Sequence, residues 1–445
     1  MAKSSSVFMC SNCGAPYARW QGKCNECDSW NTLEEQKEII SGKRGSGTVR
    51  EPLLLKSLNR DNFLRIKTGS EETDRVLGGG IVPGSLILIG GDPGIGKSTL
   101  VLQTASNLSK NNGKILYVSG EESPSQIKIR SDRLKANEEN IYVLGETEIN
   151  DILKTTFDFK PDVLIVDSIQ TVYASELSSA PGNVSQISYI TGKILEFCKK
   201  TNIASIIIGH VTKEGAIAGP RVLEHLVDVV LYLEGDRYGH FRVLRGVKNR
   251  FGSTNESGIF EMVELGLVEV KNPSLALLSE RSFSAGSVVF PAMEGTRPML
   301  VEVQALTSIT PFGYPARKTS GFDANRLQLL STVLTKRSPI NLSNQDVYVN
   351  IIGGLNLKEP ALDLPIILSI ASSFKNTMID KNTVALGEIG LSGEIRSVNN
   401  IDKRLKEAEK LGFKKAIVGG KPKITDCKLQ IESPKTIAEA LKIAF

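Results

Sequence analysis

Six short apolar runs punctuate the middle of the chain: SLILIG, KILYVSG, IYVLG, VLIVDS, ASIIIGHV and VDVVLYL. Each is rich in β-branched residues and lacks a polar alternate, which is the pattern of a strand buried on both faces. Between them lie helix-like stretches, TLVLQTASNLSK and residues 185–199. Uniform strands alternating with helices predict an α/β core over residues 61–272, built on a mostly parallel sheet with helices on both faces. Around SLALLSERSFS the pattern changes, and residues 283–445 mix alternating strands with two clear helices, predicting an α+β domain. In the last of these helices Ile401, Leu405, Ala408 and Leu411 repeat at helical spacing on a Lys/Glu-rich background. Ahead of the core, residues 1–32 read as a small unit. Residues 33–60, which include SGKRGSGTVREP, have no sustained periodicity and read as a linker.

The chain has 445 residues, too many for one ordinary core. No stretch approaches the ~20 consecutive apolar residues of a membrane span, and the opening MAKSSSVFMC lacks the apolar run of a secretory signal. A membrane protein is excluded and a cytoplasmic one expected. The net charge of +5 permits nucleic acid without arguing for it.

Four of the six cysteines fall in the first 27 residues. Cys10-x2-Cys13 and Cys24-x2-Cys27 make two knuckles whose thiolates can converge on one tetrahedral Zn2+, in a reducing compartment and with no position open for catalysis. A redox dithiol pair is the competing reading, but no thioredoxin-like unit surrounds it. Tyr17, Trp20 and Trp30 read as the knuckle's miniature core rather than as a binding face. Cys198 and Cys427 read as small core residues.

The strand SLILIG runs into Gly91-Asp92-Pro93-Gly94-Ile95-Gly96-Lys97-Ser98-Thr99, which opens a helix. That is the context of a phosphate-binding loop: backbone N–H groups wrap the phosphates of ATP, and glycine allows the close approach. Lys97 is expected on the β- and γ-phosphates, the Ser98 hydroxyl on Mg2+, and Thr99 beside the α-phosphate. The run VLIVD ends in Asp167, the second carboxylate the metal needs; plain helix capping is the alternative. KILYVSGEES brings Glu121 and Glu122 to another strand end, where a carboxylate could polarise the attacking water. Glu121 is preferred, because Glu122 would instead begin the capping of the next helix. His210 ends a third strand, as a nucleotide sensor or a structural histidine; His225, in an apolar helix-like stretch, reads as structural.

Residues 237–250, RYGHFRVLRGVKNR, carry five Lys/Arg and no acid. Such density suits a DNA track or a cation reaching into a neighbouring subunit, although a charged sheet edge would look similar. The glycine-bearing loop 213–221 and the basic loop 313–321 could also meet DNA.

Together these residues resemble one family over essentially the whole chain: RadA, also called Sms, bacterial RecA-like ATPases of DNA repair and recombination. The resemblance rests on the four-Cys knuckle with Trp20-Gln21-Gly22, on GDPGIGKST, on VSGEES, and above all on Lys248-Asn-Arg250-Phe-Gly, the family's own pentapeptide. It implies a RecA-like P-loop core behind a zinc knuckle, with Lys248 and Arg250 acting on a neighbouring subunit's nucleotide. It also implies a homo-hexamer that drives branch migration on single-stranded and branched DNA, with a helicase or recombinase as partner. The C-terminal third is similar to the Lon protease's proteolytic domain. Where that pattern carries its nucleophile, this chain has Ala361, in Glu359-Pro-Ala-Leu-Asp363; where it carries its lysine, this chain aligns Asp402, with Lys403 on a different helix face. No serine–lysine dyad is available, and a scaffold for ring assembly or DNA contact is expected. A KaiC-like signalling ATPase would share the core; the basic segment and the knuckle favour DNA.

Overall fold

The computed structural model describes residues 6–17, 19–37, 54, 64–209, 223–235, 241–311, 313–420 and 427–445. The chain divides into two compact units, one of Met1–Glu234, Leu244–Thr254 and Glu264–Leu267, the other of Gly235–Val243, Asn255–Val263 and Val268–Phe445.

In the first unit the six apolar runs all become strands. Across the sheet they lie in the order Val229–Glu234, Leu86–Gly91, Ala204–Ile208, Val163–Asp167, Ile115–Ser119, Ile141–Leu144, with every adjacent pair parallel. Residues 244–249 of the strand Phe241–Asn249 lie beyond Val229–Glu234. Alternate strand residues Leu86, Leu88, Leu116, Val118, Leu164, Val166, Ile207 and Val230 form one core cluster with the apolar sides of the helices Ile149–Phe159 and Val184–Thr201. Burial of both alternates explains why the inner strands carry no polar period; the edge strand Ile141–Leu144 departs from that expectation, with Tyr142 and Val143 exposed. The helix Lys97–Lys110 follows directly from the strand Leu86–Gly91. The helix Pro124–Leu134 starts at Ser123, which exchanges hydrogen bonds with Gln126 in a capping box, with proline at its first turn. A parallel sheet of this kind places its loops, and hence its chemistry, at the strands' C-terminal ends.

A separate three-stranded antiparallel sheet, Pro16–Tyr17, Ser6–Cys10, Leu33–Lys37, carries the cysteines. Its small core is Cys10, Cys24 and Leu33, backed by Phe8, Ala15, Tyr17 and Cys27.

The second unit holds a mixed seven-stranded sheet in the order Arg317–Ser320, Gln345–Ile351, Arg297–Ile309, Ser287–Glu294, Thr383–Leu386, Lys415–Val418, Gln430–Glu432. The helix Asp363–Lys375 is buried at ten successive positions from Asp363 to Ser372, as a helix apolar on every side must be. The helix Ile401–Lys410 turns Leu405 and Ala408 inward as its spacing predicts, together with Arg404, which the apolar pattern did not include. A further helix, Ile437–Ala444, follows beyond the one that the apolar pattern places last. Among the described residues no helix is long and apolar enough to cross a membrane.

Candidate active site

The strand Leu86–Gly91 ends in a loop that the helix Lys97–Lys110 closes. A Cβ on Gly91, whose φ is +148°, would lie 2.4 Å from Leu233 O, so only glycine lets the loop turn there. Gly96 is the helix N-cap and offers no side chain to the first-turn N–H groups. Those donors are orphans by construction, and an anionic phosphate is the group that satisfies them. Lys97 is buried, and its Nζ donates to Gly91 O at 2.8 Å and Asp92 O at 3.0 Å. Burial pushes the Lys97 ammonium down to about 8, while Asp167, Asp92 and Glu121 pull it back. A phosphate would supply the charge that this ammonium lacks. Pro93, Gly94, Ile95, Ser98 and Thr99 lie in the same loop and first turn; all but Pro93 carry a backbone N–H, a donor set that fits the phosphates of ATP.

Asp167 closes the strand Val163–Asp167 and faces Ser119 across the neighbouring strand. It is buried, and Tyr117 donates to its Oδ2 at 2.6 Å. Burial, then the Asp167 charge, push the Tyr117 hydroxyl well above the usual tyrosine range, so it stays a donor. A carboxylate at this strand end is an oxygen ligand of the kind that suits Mg2+.

Glu121 and Glu122 separate cleanly. Glu122 pairs with Arg130, and its N–H bonds Ser119 Oγ at 3.1 Å. It does not begin the next helix, since Ser123 does that. The exposed Glu121 instead takes a hydrogen bond from Ser168 Oγ, the residue after Asp167. A Cβ on Gly120 would meet Thr171 Oγ1 at 2.2 Å, so glycine lets this turn close on the segment after Asp167. Tyr117 and Ser168 went unread in the sequence, because nothing local marks a hydroxyl that a neighbouring strand will bring to a carboxylate.

The cations of the basic segment lie elsewhere. Arg250 pairs with Asp228 at 3.2 Å, and its N–H bonds Asp228 O. Asp228 Oδ2 in turn accepts from Leu86 N and from Lys199. Lys248 Nζ donates to Glu224 O at 2.6 Å and His225 O at 3.2 Å. Leu86 begins the strand that Gly91 ends, so five residues at ~3.3 Å each put this cluster roughly 17 Å from the phosphate loop of the same chain. Arg245 pairs with Glu234, also inside the chain. His225 is exposed in a turn, not helical. His210, the loop 213–221, Arg237 and His240 lie outside the described residues.

In the knuckle, the four Sγ atoms lie within 4.8 Å of one another, with Cys10 to Cys27 at 3.6 Å and Cys13 to Cys24 at 3.4 Å. Four ligands ~2.3 Å from a tetrahedral Zn2+ need about this spacing, so the thiolates fit the ion. Trp20 and Trp30 are 56% and 71% exposed. They are a surface and not the miniature core expected of them; the sulfurs and Leu33 already fill that interior.

In the second unit Ala361 is buried, and its carbonyl accepts from Gly387 N. Asp402 and Lys403 are both exposed, and the helix turns Arg404 inward to pair with Glu359. Asp363 is paired with Arg326. Residues 317–320 of the basic loop form a strand, and Arg317 donates to the carbonyls of Ala316 and Leu342, both at 2.9 Å.

Known proteins align with each part. The chain matches the family model described as an AAA domain over residues 51–216, that of subunit ChlI of Mg-chelatase over 326–421, and that of a rubredoxin metal binding domain over 8–35. The DNA repair protein RadA of Halalkalibacterium halodurans is 52% identical over 429 residues, covering 95% of this chain and 94% of its own. The protein of the same name from Bacillus subtilis is 50% identical over 460 aligned positions, covering 100% of both. Among solved structures, the RadB recombinase matches 46% of this chain and 100% of its own, at 23% identity and a TM-score of 0.37.

Proposed function

The chain belongs to the RadA family of DNA repair proteins, and on that premise we propose that it is a DNA-dependent ATPase that works as a homo-hexameric ring, driving branch migration of recombination intermediates in the cytoplasm. In this reading Lys97 neutralises the β- and γ-phosphates, Ser98 and Asp167 hold Mg2+, and Glu121 activates the attacking water. Cys10, Cys13, Cys24 and Cys27 hold Zn2+ as a structural ion, and the exposed Trp20 and Trp30 offer a recombinase partner an apolar surface.

One observation carries the ring. Lys248 and Arg250 are fixed at the end of the sheet opposite their own phosphate loop, so neither can touch a phosphate bound there. Cations anchored in that place can serve a nucleotide only if it belongs to a neighbouring copy, where such a group contributes ~10^3-fold or more to phosphoryl transfer.

The test is ATP turnover with and without single-stranded and branched DNA. Lys97→Ala and Lys248→Ala should each abolish the stimulated rate. Mixing the two chains should restore part of it, because a mixed ring contains interfaces with both groups intact. Loss of DNA affinity in Lys248→Ala, with a shallower salt dependence and no recovery on mixing, would make the segment a DNA track instead. Turnover indifferent to DNA would favour the signalling ATPase.

A further inference from the structure

A buried tyrosine is usually a core residue whose hydroxyl finds whichever polar partner is nearest. Tyr117 is more constrained. Every position of its strand Ile115–Ser119 is buried, and register determines what its hydroxyl meets. Ser119 lies directly opposite Asp167, and Tyr117, two residues earlier, shares that face of the sheet and reaches the same carboxylate diagonally. The contact is 2.6 Å to Oδ2, the length of a charge-assisted O–H···O⁻ bond. Phenylalanine would fill the same place with no polar atom to satisfy, and a buried hydroxyl adds cost unless its partner repays it. A carboxylate has two oxygens and about four lone-pair sites. With Oδ2 engaged, the plane of the group is set and Oδ1 remains for a cation.

We propose that Tyr117 is a positioning residue for the metal of the bound nucleotide: its hydroxyl anchors one oxygen of Asp167 and so decides which oxygen, in which orientation, meets the cation. The proposal rests on the reading of Asp167 as a metal ligand. Hydrogen-bond partners of metal-ligating groups typically change metal affinity by about 10–100-fold when removed.

Mn2+ serves as the probe, its binding to the full-length protein in the presence of ADP followed by electron paramagnetic resonance. Tyr117→Phe should raise the Mn2+ concentration for half-saturation ~10-fold. Binding of a fluorescent ATP analogue in EDTA should stay as in the parent, which shows that the variant's phosphate loop is folded. Turnover should recover its kcat when Mg2+ is raised, since the defect lies in metal capture and excess metal overcomes it. Unchanged Mn2+ affinity in Tyr117→Phe overturns the proposal, and so does lost turnover that excess Mg2+ fails to restore. Asp167→Asn tells that failure apart from one lower down. If it leaves Mn2+ affinity unchanged as well, Asp167 is no metal ligand and the reading beneath the proposal falls too. If it weakens Mn2+ while Tyr117→Phe does not, only the role given to Tyr117 is wrong.

Discussion

Two sets of ionic groups, one in each unit, are handled in opposite ways. In the first unit, the Lys97 ammonium is held by backbone carbonyls, Asp167 by the Tyr117 hydroxyl, and Glu121 by the Ser168 hydroxyl. Carbonyls and hydroxyls orient these groups, and the Asp167 carboxylate, bonded by a tyrosine hydroxyl, keeps its charge to offer a ligand. In the second unit, Arg326 meets Asp363 and Arg404 meets Glu359, salt bridges that also bond neighbouring backbone groups. Buried charges closed on each other stabilise or specify a fold and have little left for chemistry. The position that would carry a nucleophile in the protease pattern sits between Glu359 and Asp363 and is alanine. Charged groups held by hydroxyls and carbonyls thus lie at the phosphate loop and the strand ends beside it, and charged groups held by each other lie in the C-terminal unit.

The contrast is sharpest at Glu121. Glu121→Gln keeps an oxygen to accept from Ser168 but cannot take a proton, so hydrolysis should fall by ~10^2–10^4-fold with ATP affinity intact. Its melting temperature should stay close to that of the parent, since an exposed, hydrogen-bonded position changes stability by about 0.5 kcal/mol or less. Single-turnover kinetics beside a thermal melt would read both. Undiminished hydrolysis moves the base elsewhere, and the ion pair between Glu122 and Arg130 makes Glu122 a poor substitute.

Glu359→Ala should do the reverse. The Arg404 side chain is only 4% exposed, and without Glu359 its charge keeps the carbonyls of Pro291 and Asn399 but no counter-ion. Breaking a buried pair from one side costs about 3–5 kcal/mol, seen as a lower unfolding midpoint in denaturant. ATP turnover per folded molecule should hold, because Glu359 takes no part in the nucleotide chemistry. A variant as stable as the parent would mean that solvent already screens the pair, and the comparison between the units would lose its structural half.

What could be read from the sequence divides along the same line. The inner strands were legible because burial on both faces leaves an unbroken apolar run, and the phosphate loop because its glycines and Lys97 lie close together in the sequence; the edge strand Ile141–Leu144 shows the same run although Tyr142 and Val143 are exposed. Asp167 was legible as the polar end of such a run. The groups that steady these residues were not: Tyr117 and Ser168 act across strand pairings 50 and 47 residues apart. Arg404 was unreadable for a similar reason, its partner being 45 residues away, and a periodicity search discounts a buried arginine. Trp20 and Trp30 misled in the other direction. Large aromatics in a small unit suggest a core, but four converging sulfurs leave no room inside for an indole.

The smallest effect expected is the most direct test of the C-terminal unit. Ala361→Ser restores a hydroxyl where the protease pattern has its nucleophile, at a cost of about 1–3 kcal/mol for burying a polar group in a site lined for a methyl. A hydroxyl without a base is inert toward amides. Asp402 and Lys403 are exposed on the helix, while Ala361 is buried and the inward position belongs to Arg404. Even the double variant Ala361→Ser with Asp402→Lys should therefore release no peptides from fluorescein-labelled unfolded casein in the presence of ATP. Cleavage by the double variant alone would show that an amine at 402 can reach the site, leaving the unit two substitutions from a protease. Cleavage already present in the parent would show that a nucleophile lies elsewhere in the unit and that its closed salt bridges do not mark it as structural.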